Sequence, residues 1–270
     1  VRSTVNAEDP DGDDLTYAWN LDGRDLSCTA AICIHTFGDD GTYPLRITVS
    51  DGKDTASRTI DVSVLNADPE IRSLVVDGGS ADLALPLVHP IRFYGSFTDP
   101  GWQDVHAATW DFGDGESETG AITGTTSDRI AGGDVVEEHV YAAPGDYTIQ
   151  LRVEDDDGGL ALSTVRVHIA TPSEALRDLS AYIQGIDADS FSGKADQRKD
   201  ALANKFSALE QMIANGDGNG GINSLKNDIR AKADGQIDGK TENDWILGYD
   251  NQNEICSLID DLVRYLAMLR

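Results

Sequence analysis

The chain has 270 residues, with 48 Asp or Glu against 21 Lys or Arg and a formal net charge of −27. A field of that sign repels nucleic acid and anionic membrane, which argues against both as partners. Hydrophobic residues make up 40%, enough to fill two or three cores of about 100 residues each, so wholesale disorder is not expected. No run approaches the ~20 apolar residues of a membrane helix, and no insertion is expected. No leader-like segment opens the chain, which fits a mature protein or a fragment.

Residues 1–67 read as strands. Leu45, Ile47 and Val49 alternate, as do Ile60, Val62 and Val64, the period of a strand with one buried face. Trp19-Asn20-Leu21-Asp22-Gly23 puts two apolar side chains on one face and then turns. Cys28 and Cys33 enclose four residues, a loop short enough to close as a local disulfide in an oxidising compartment. The third cysteine, Cys256, falls among Ile255, Leu258 and Ile259 and reads as a small buried apolar residue.

Residues 68–170 repeat the pattern. Trp110-Asp111-Phe112-Gly113-Asp114-Gly115 stands where Trp19 to Gly23 stands. His139-Val140-Tyr141 matches His35-Thr36-Phe37, Gly145-Asp146-Tyr147 matches Gly41-Thr42-Tyr43, and 91–100 lines up with 1–10. Strands are expected over 91–97, 107–112, 147–153 and 161–169, with a hairpin insertion or mobile loop in the Gly/Thr/Ser-rich stretch 116–133. A first strand over 70–77 has no counterpart ahead of Val1. That leaves a sheet edge open in the first unit; the expectation is that more protein precedes residue 1, or that a neighbouring subunit donates the strand.

At Thr171 the periodicity changes. Thr171-Pro172-Ser173-Glu174 reads as a capping box with proline in the first turn. Apolar stripes follow at Leu176, Leu179, Ile183 and Ile186; at Leu202, Phe206, Leu209 and Ile213; at Ile222, Leu225 and Ile229; and at Ile255, Leu258, Ile259, Leu262, Val263 and Leu266, this last behind an expected Asn251/Glu254 cap. Four stripes predict a compact helical bundle over 171–270.

The ordered set WDFGDG, His139-Val140-Tyr141 and Pro144-Gly145-Asp146-Tyr147-Thr148 resembles the PKD repeat, and the helical segment resembles the FIMAH-type terminal domain. The resemblance implies immunoglobulin-like β-sandwiches of secreted and cell-surface proteins. The fold expected is multidomain: two all-β immunoglobulin-like sandwiches of PKD type, 1–67 and 68–170, followed by an all-α helical bundle.

In such a sandwich the loop after the second strand and the loop joining the last two strands share one end. In the first unit these loops carry Asp9, Asp11, Asp13, Asp51 and Asp54; in the second, Asp99, Asp104, Asp155 and Asp157, with Asn66 and Asp68 entering from the linker. Converging carboxylates repel one another unless a cation lies between them, and calcium takes six to eight oxygens at about 2.4 Å. Calcium is therefore the cofactor expected, most of all at the Asp9/Asp11/Asp13/Asp51 group, against a reading as Asx turns on an acidic, salt-adapted surface. Asp114, set between two glycines, is expected to cap turn amides rather than to catalyse. The loop from Asn215 to Ile222 echoes an EF-hand, but Lys226 stands where a bidentate Glu is needed. His35, His89, His106, His139 and His168 are dispersed, and the equivalent pair His35 and His139 points to a structural role. No nucleophile, phosphate-binding or metalloprotease motif appears.

The function expected is non-catalytic: an extracellular or cell-surface spacer or assembly module, partnered by other extracellular domains or copies of itself. The alternatives are the accessory part of a secreted hydrolase, as the resemblance implies, and a polysaccharide-binding module using Trp102 as an aromatic platform.

Overall fold

The computed structural model describes residues 1–77, 84–85, 90–124 and 129–268, with only the backbone at 84–85. His89 and part of the 116–133 stretch lie outside them.

Six strands build the first unit: β1 Arg2–Thr4, β2 Thr16–Leu21, β3 Arg24–Asp25, β4 Ile32–Ile34, β5 Gly41–Ser50 and β6 Thr55–Val64. They form a sheet of order β3-β2-β5-β6 and a two-stranded sheet β1-β4. Alternation sends Trp19, Leu21, Leu45 and Ile47 inward, where they meet Cys33 from β4. Cys28 and Cys33 form a disulfide with Cα atoms 5.4 Å apart.

Among the described residues nine strands build the second unit: β7 Glu70–Val76, β8 Ala84–Leu85, β9 Ile91–Asp99, β10 Ala107–Asp111, β11 Ser117–Gly120, β12 Ile122–Thr123, β13 Ala131–His139, β14 Gly145–Glu154 and β15 Leu160–Ile169. The two sheets run β11-β10-β14-β15-β8 and β12-β13-β9-β7. Trp110, Phe93, Phe112, Val135, Ile149 and Leu151 are wholly buried between them. In the described part of 116–133, β11 extends one sheet beside β10, and β12 pairs antiparallel with the next strand β13, as the expected hairpin would. After Phe112 the chain turns at Gly113 with φ +79°, where a Cβ would lie 2.6 Å from the Thr148 carbonyl, so only glycine fits.

β15 runs through Ala170 straight into α1 Pro172–Gly185, whose capping box is formed by Thr171 and Glu174. α2 Ala195–Ala214, α3 Gly218–Ser224, a π turn over Leu225–Ile229 and α4 Tyr249–Met268 complete the helices. The four stripes pack inward, with Leu176, Ile183, Leu202, Leu209, Leu225, Ile255 and Ile259 fully buried. α4 starts at Tyr249, so Asn251 lies inside its first turn and is not the cap that its spacing to Glu254 predicts. No helix among the described residues is long and apolar enough to cross a membrane. The core of the second sandwich continues without a break into the helices, whereas the first sandwich keeps a separate core.

Candidate metal centre between the sandwiches

The loop between β4 and β5 descends onto the end of the second sandwich. Gly38 O accepts a hydrogen bond from Gln103 N at 3.0 Å. The Trp102 ring packs so tightly on Gly38 that a Cβ there would collide with it, and Arg129 lies over the ring at 5.7 Å. Trp102, half-buried, is thus seated on the first sandwich at the joint.

Beside this contact lie two acidic triads: Asp99, Asp104 and Asp155, and Asp39, Asp40 and Asp157. In each, one oxygen per residue lies within 4.8 Å of the others. The first triad is built inward. Asp99, at the end of β9, is 0% exposed; its Oδ1 accepts from Gly101 N at 2.7 Å and its Oδ2 lies 3.0 Å from His106 Nε2. Asp155 follows β14, and its carboxylate accepts from Asp157 N, Gly159 N and the Asn66 side-chain amide. Burial works to raise its pKa, but these bonds outweigh burial and hold it below the ordinary value.

Asp104 differs. Its Oδ1 is buried with no hydrogen-bond donor. Burial first, then the charges of Asp99, Asp39, Asp155 and Asp157, push its pKa up to about 6. Burial and then Asp40, Asp156 and Asp39 raise Asp157 as well. Among the described residues no Lys or Arg pairs with any of these six acids. An orphaned, buried acceptor between two buried carboxylates suits a hard cation with oxygen ligands.

The residues of the first unit's own end do not converge in this way. Asp9 Oδ1 accepts from Asp11 N and Asp13 N at 2.9 and 3.1 Å, and Asp51 Oδ1 from Lys53 N and Asp54 N at 2.8 and 2.6 Å. These are Asx turns, and their backbone bonds hold the Asp51 pKa low. Lys53 Nζ sits 2.8 Å from Asp13 Oδ2, where a cation would compete with it. Among the described residues Asp9, Asp11, Asp13, Asp51 and Asp54 form no triad, so the group expected to be strongest for calcium is not the one brought together. Asp68 is exposed and joins neither triad, while its neighbour Asn66 does reach Asp155. Asp39 and Asp40 were not among the expected ligands.

Elsewhere, Asp114 Oδ1 accepts from Glu116 N at 3.0 Å and its Oδ2 lies 2.7 Å from His139 Nε2. Asp217 caps α3 through Gly220 N at 2.8 Å, so the EF-hand echo is a helix start.

Similar solved structures include three single domains, each covered in full. The PKD domain of an M14-like peptidase from Thermoplasmatales archaeon SCGC AB-540-F20 is 19% identical over 40% of this chain, with a TM-score of 0.30. The PKD1 domain of Vibrio anguillarum Epp is 18% identical over 40%, TM-score 0.28; that of the Vibrio cholerae metalloprotease PrtV is 18% identical over 39%, TM-score 0.27. The PKD domain profile itself matches residues 2–64 and 77–169, more than half of the sequence and both sandwiches, and on that match the chain belongs to the PKD domain family.

Proposed function

We propose that this chain is a non-catalytic structural segment of an extracellular or cell-surface protein, and that calcium bound by Asp99, Asp104 and Asp155 stiffens the joint between its two sandwiches. Asp39, Asp40 and Asp157 extend the site across the joint, so occupancy would tie one domain to the next. The observation that carries the reading is the buried, unbonded Oδ1 of Asp104. The disulfide supports an oxidising compartment, and the spacing of the terminal helices, similar to FIMAH-type domains, agrees with secretion.

The test is thermal unfolding in calcium and in chelator. Calcium at about 100 times its Kd stabilises a site by about 2.7 kcal/mol. Asp104 has a folded pKa raised to about 6, so its protonation favours the fold. That contribution is complete below the unfolded value of 3.8 and lost as pH rises through 6. The calcium increment is therefore expected to be larger at pH 7.5 than at pH 4.5. Asp104→Asn is expected to abolish it while raising the melting temperature in chelator. An increment that survives Asp104→Asn unchanged, or that shows no dependence on pH, rejects the site.

A further inference from the structure

The two sandwiches treat the same histidine in opposite ways. His35, just past β4, and His139, at the end of β13, hold equivalent positions of the repeat. In the second sandwich His139 is 7% exposed and faces two carboxylates, with Asp114 Oδ2 2.7 Å from its Nε2 and Glu116 Oε2 4.0 Å from its Nδ1. Tyr141 closes the place, its ring edge-on to His139 at 4.7 Å and its hydroxyl donating to Phe112 O at 3.0 Å. In the first sandwich all three partners are changed. The turn between Leu21 and Arg24, which stand opposite each other on β2 and β3, holds two residues, Asp22 and Gly23. The matching turn holds three, Gly113 to Gly115, between Phe112 and Glu116. Arg24 therefore stands for Glu116, Gly23 brings no carboxylate where Asp114 does, and Phe37, edge-on to His35 at 4.9 Å, replaces Tyr141 without its hydroxyl.

His35, only half-buried, lines a cavity of about 620 Å³ at the joint. The first sandwich contributes His35 and Arg24 to it, and the second contributes Arg129 and Gln103. Among the described residues neither arginine pairs with a carboxylate. Arg129 lies over the Trp102 ring, and Phe37 and Tyr43 pack ring to ring at 4.8 Å, so three aromatic side chains stand in the lining. Asp22 and Asp39 line it as well. At physiological ionic strength charges are screened beyond about 8 Å, so these near groups, rather than the remote acids of the chain, set what the cavity accepts.

We propose that this cavity binds a sugar acid, one uronate unit of a polysaccharide, with its carboxylate set against Arg24, Arg129 and His35 as Asp114 and Glu116 are set against His139. Asp22 and Asp39 repel a second anionic group but accept hydrogen bonds from hydroxyls, and the aromatic side chains take the carbon face of a pyranose ring. One carboxylate, several hydroxyls and an apolar face describe a uronate better than a phosphate or an acidic peptide. The site needs no calcium and shares only Asp39 with the acidic triads.

Methyl β-D-glucuronide is the probe, and methyl β-D-glucoside, the same ring without the carboxylate, is its control. Each is titrated into the full chain in chelator, so that the outcome is independent of calcium. Imidazole resonances are followed by NMR, with His35 assigned from His35→Gln. The glucuronide is expected to shift His35 saturably and to leave His139 in place, and the glucoside to bind about tenfold more weakly. Arg24→Glu gives the first sandwich the acid that the second carries at Glu116 and is expected to lose the binding; Arg24 is exposed, which keeps the change out of the core. Arg129→Gln, from the other side of the joint, is expected to weaken binding by about tenfold. Arg58→Glu makes the same change of charge on exposed β6, outside the cavity lining, and is expected to keep it. A response equal for the two sugars, unchanged in either Arg24→Glu or Arg129→Gln, or lost in Arg58→Glu overturns the proposal. So does binding of inorganic phosphate or N-acetylglutamate as tight as that of the glucuronide, since a bare anion site would not distinguish them.

Discussion

His139 and Asp114 lock the second sandwich's turn with a pair that the first sandwich lacks. The His139 ring stacks on Phe112 at 4.0 Å with 3° between planes, and its Nε2 meets Asp114. Burial raises the Asp114 pKa, but the bonds from His139 and from Glu116 N prevail and hold it below 3.8. Its stabilisation is therefore present above the unfolded value and lost as pH falls through the folded one. Asp114→Ala is expected to cost the second sandwich about 1–2 kcal/mol and to flatten its acid limb below pH 4, measured by urea melts across pH. At the matching place the first sandwich has Gly23, and the pKa of His35 is lowered by burial, by the terminal amine and by Arg129. The two core tryptophans differ as well. Trp19 Nε1 donates to Ala30 O at 2.8 Å, within the disulfide loop, whereas Trp110 Nε1 is buried without an acceptor. The small loop between Cys28 and Cys33 thus does two jobs, closing the chain and satisfying an indole.

Among the elements, that loop and the start of α1 are the most exposed to test. Reducing the disulfide is expected to destabilise the first sandwich by about 2 kcal/mol, from the entropy of a loop this short, and to change Trp19 fluorescence as Ala30 loosens. At the other end, Glu174 is held down to about 2 by the Thr171 side chain and backbone and then by His168. His168 bridges Asp146 at 2.7 Å and Glu174 at 3.4 Å. Asp146 and then Glu174 raise its pKa, so its contribution is whole below 6.5 and fades as pH climbs through the folded value. Thr171→Ala is expected to lower stability by about 1 kcal/mol and to weaken this pH dependence, read by thermal melts between pH 6 and 9. The strands and this cap were legible because period and local chemistry agree within a few residues. The Asn251 cap was misread because the same spacing fits a first turn as well as a cap, and the chain starts α4 at Tyr249. The acidic triads were half legible. Asp99, Asp104 and Asp155 share one end of one sandwich, which topology predicts. Asp39 and Asp40 reach Asp157 only through the stacking of two domains, and no local pattern encodes that. Asp9 and Asp51 each close a local Asx turn, as Asp99 and Asp155 also do, but at their end Lys53 pairs with Asp13 and no third carboxylate joins them.

At the scale of the molecule, the two joints are unlike. The second sandwich and the helices share one apolar core, from Trp110 and Ile149 through Ile169 and Leu176 to Leu209 and Ile259. The first sandwich meets its neighbour through Trp102, a backbone bond and acidic loops. Calorimetry is expected to resolve two transitions, one for residues 1–67 and one for everything after, since a continuous core melts as a unit. A single transition for the whole chain would contradict this division. The consequence is clearest under tension. A load applied between Val1 and α4 meets no separate yielding point between β15 and α1, because strand, cap and buried contacts there form one continuous bracket. It falls instead on the first sandwich, where β1 and β4 are only three residues long against nine in β9 and β13, so that domain is expected to give way first while the larger body behind it keeps its shape.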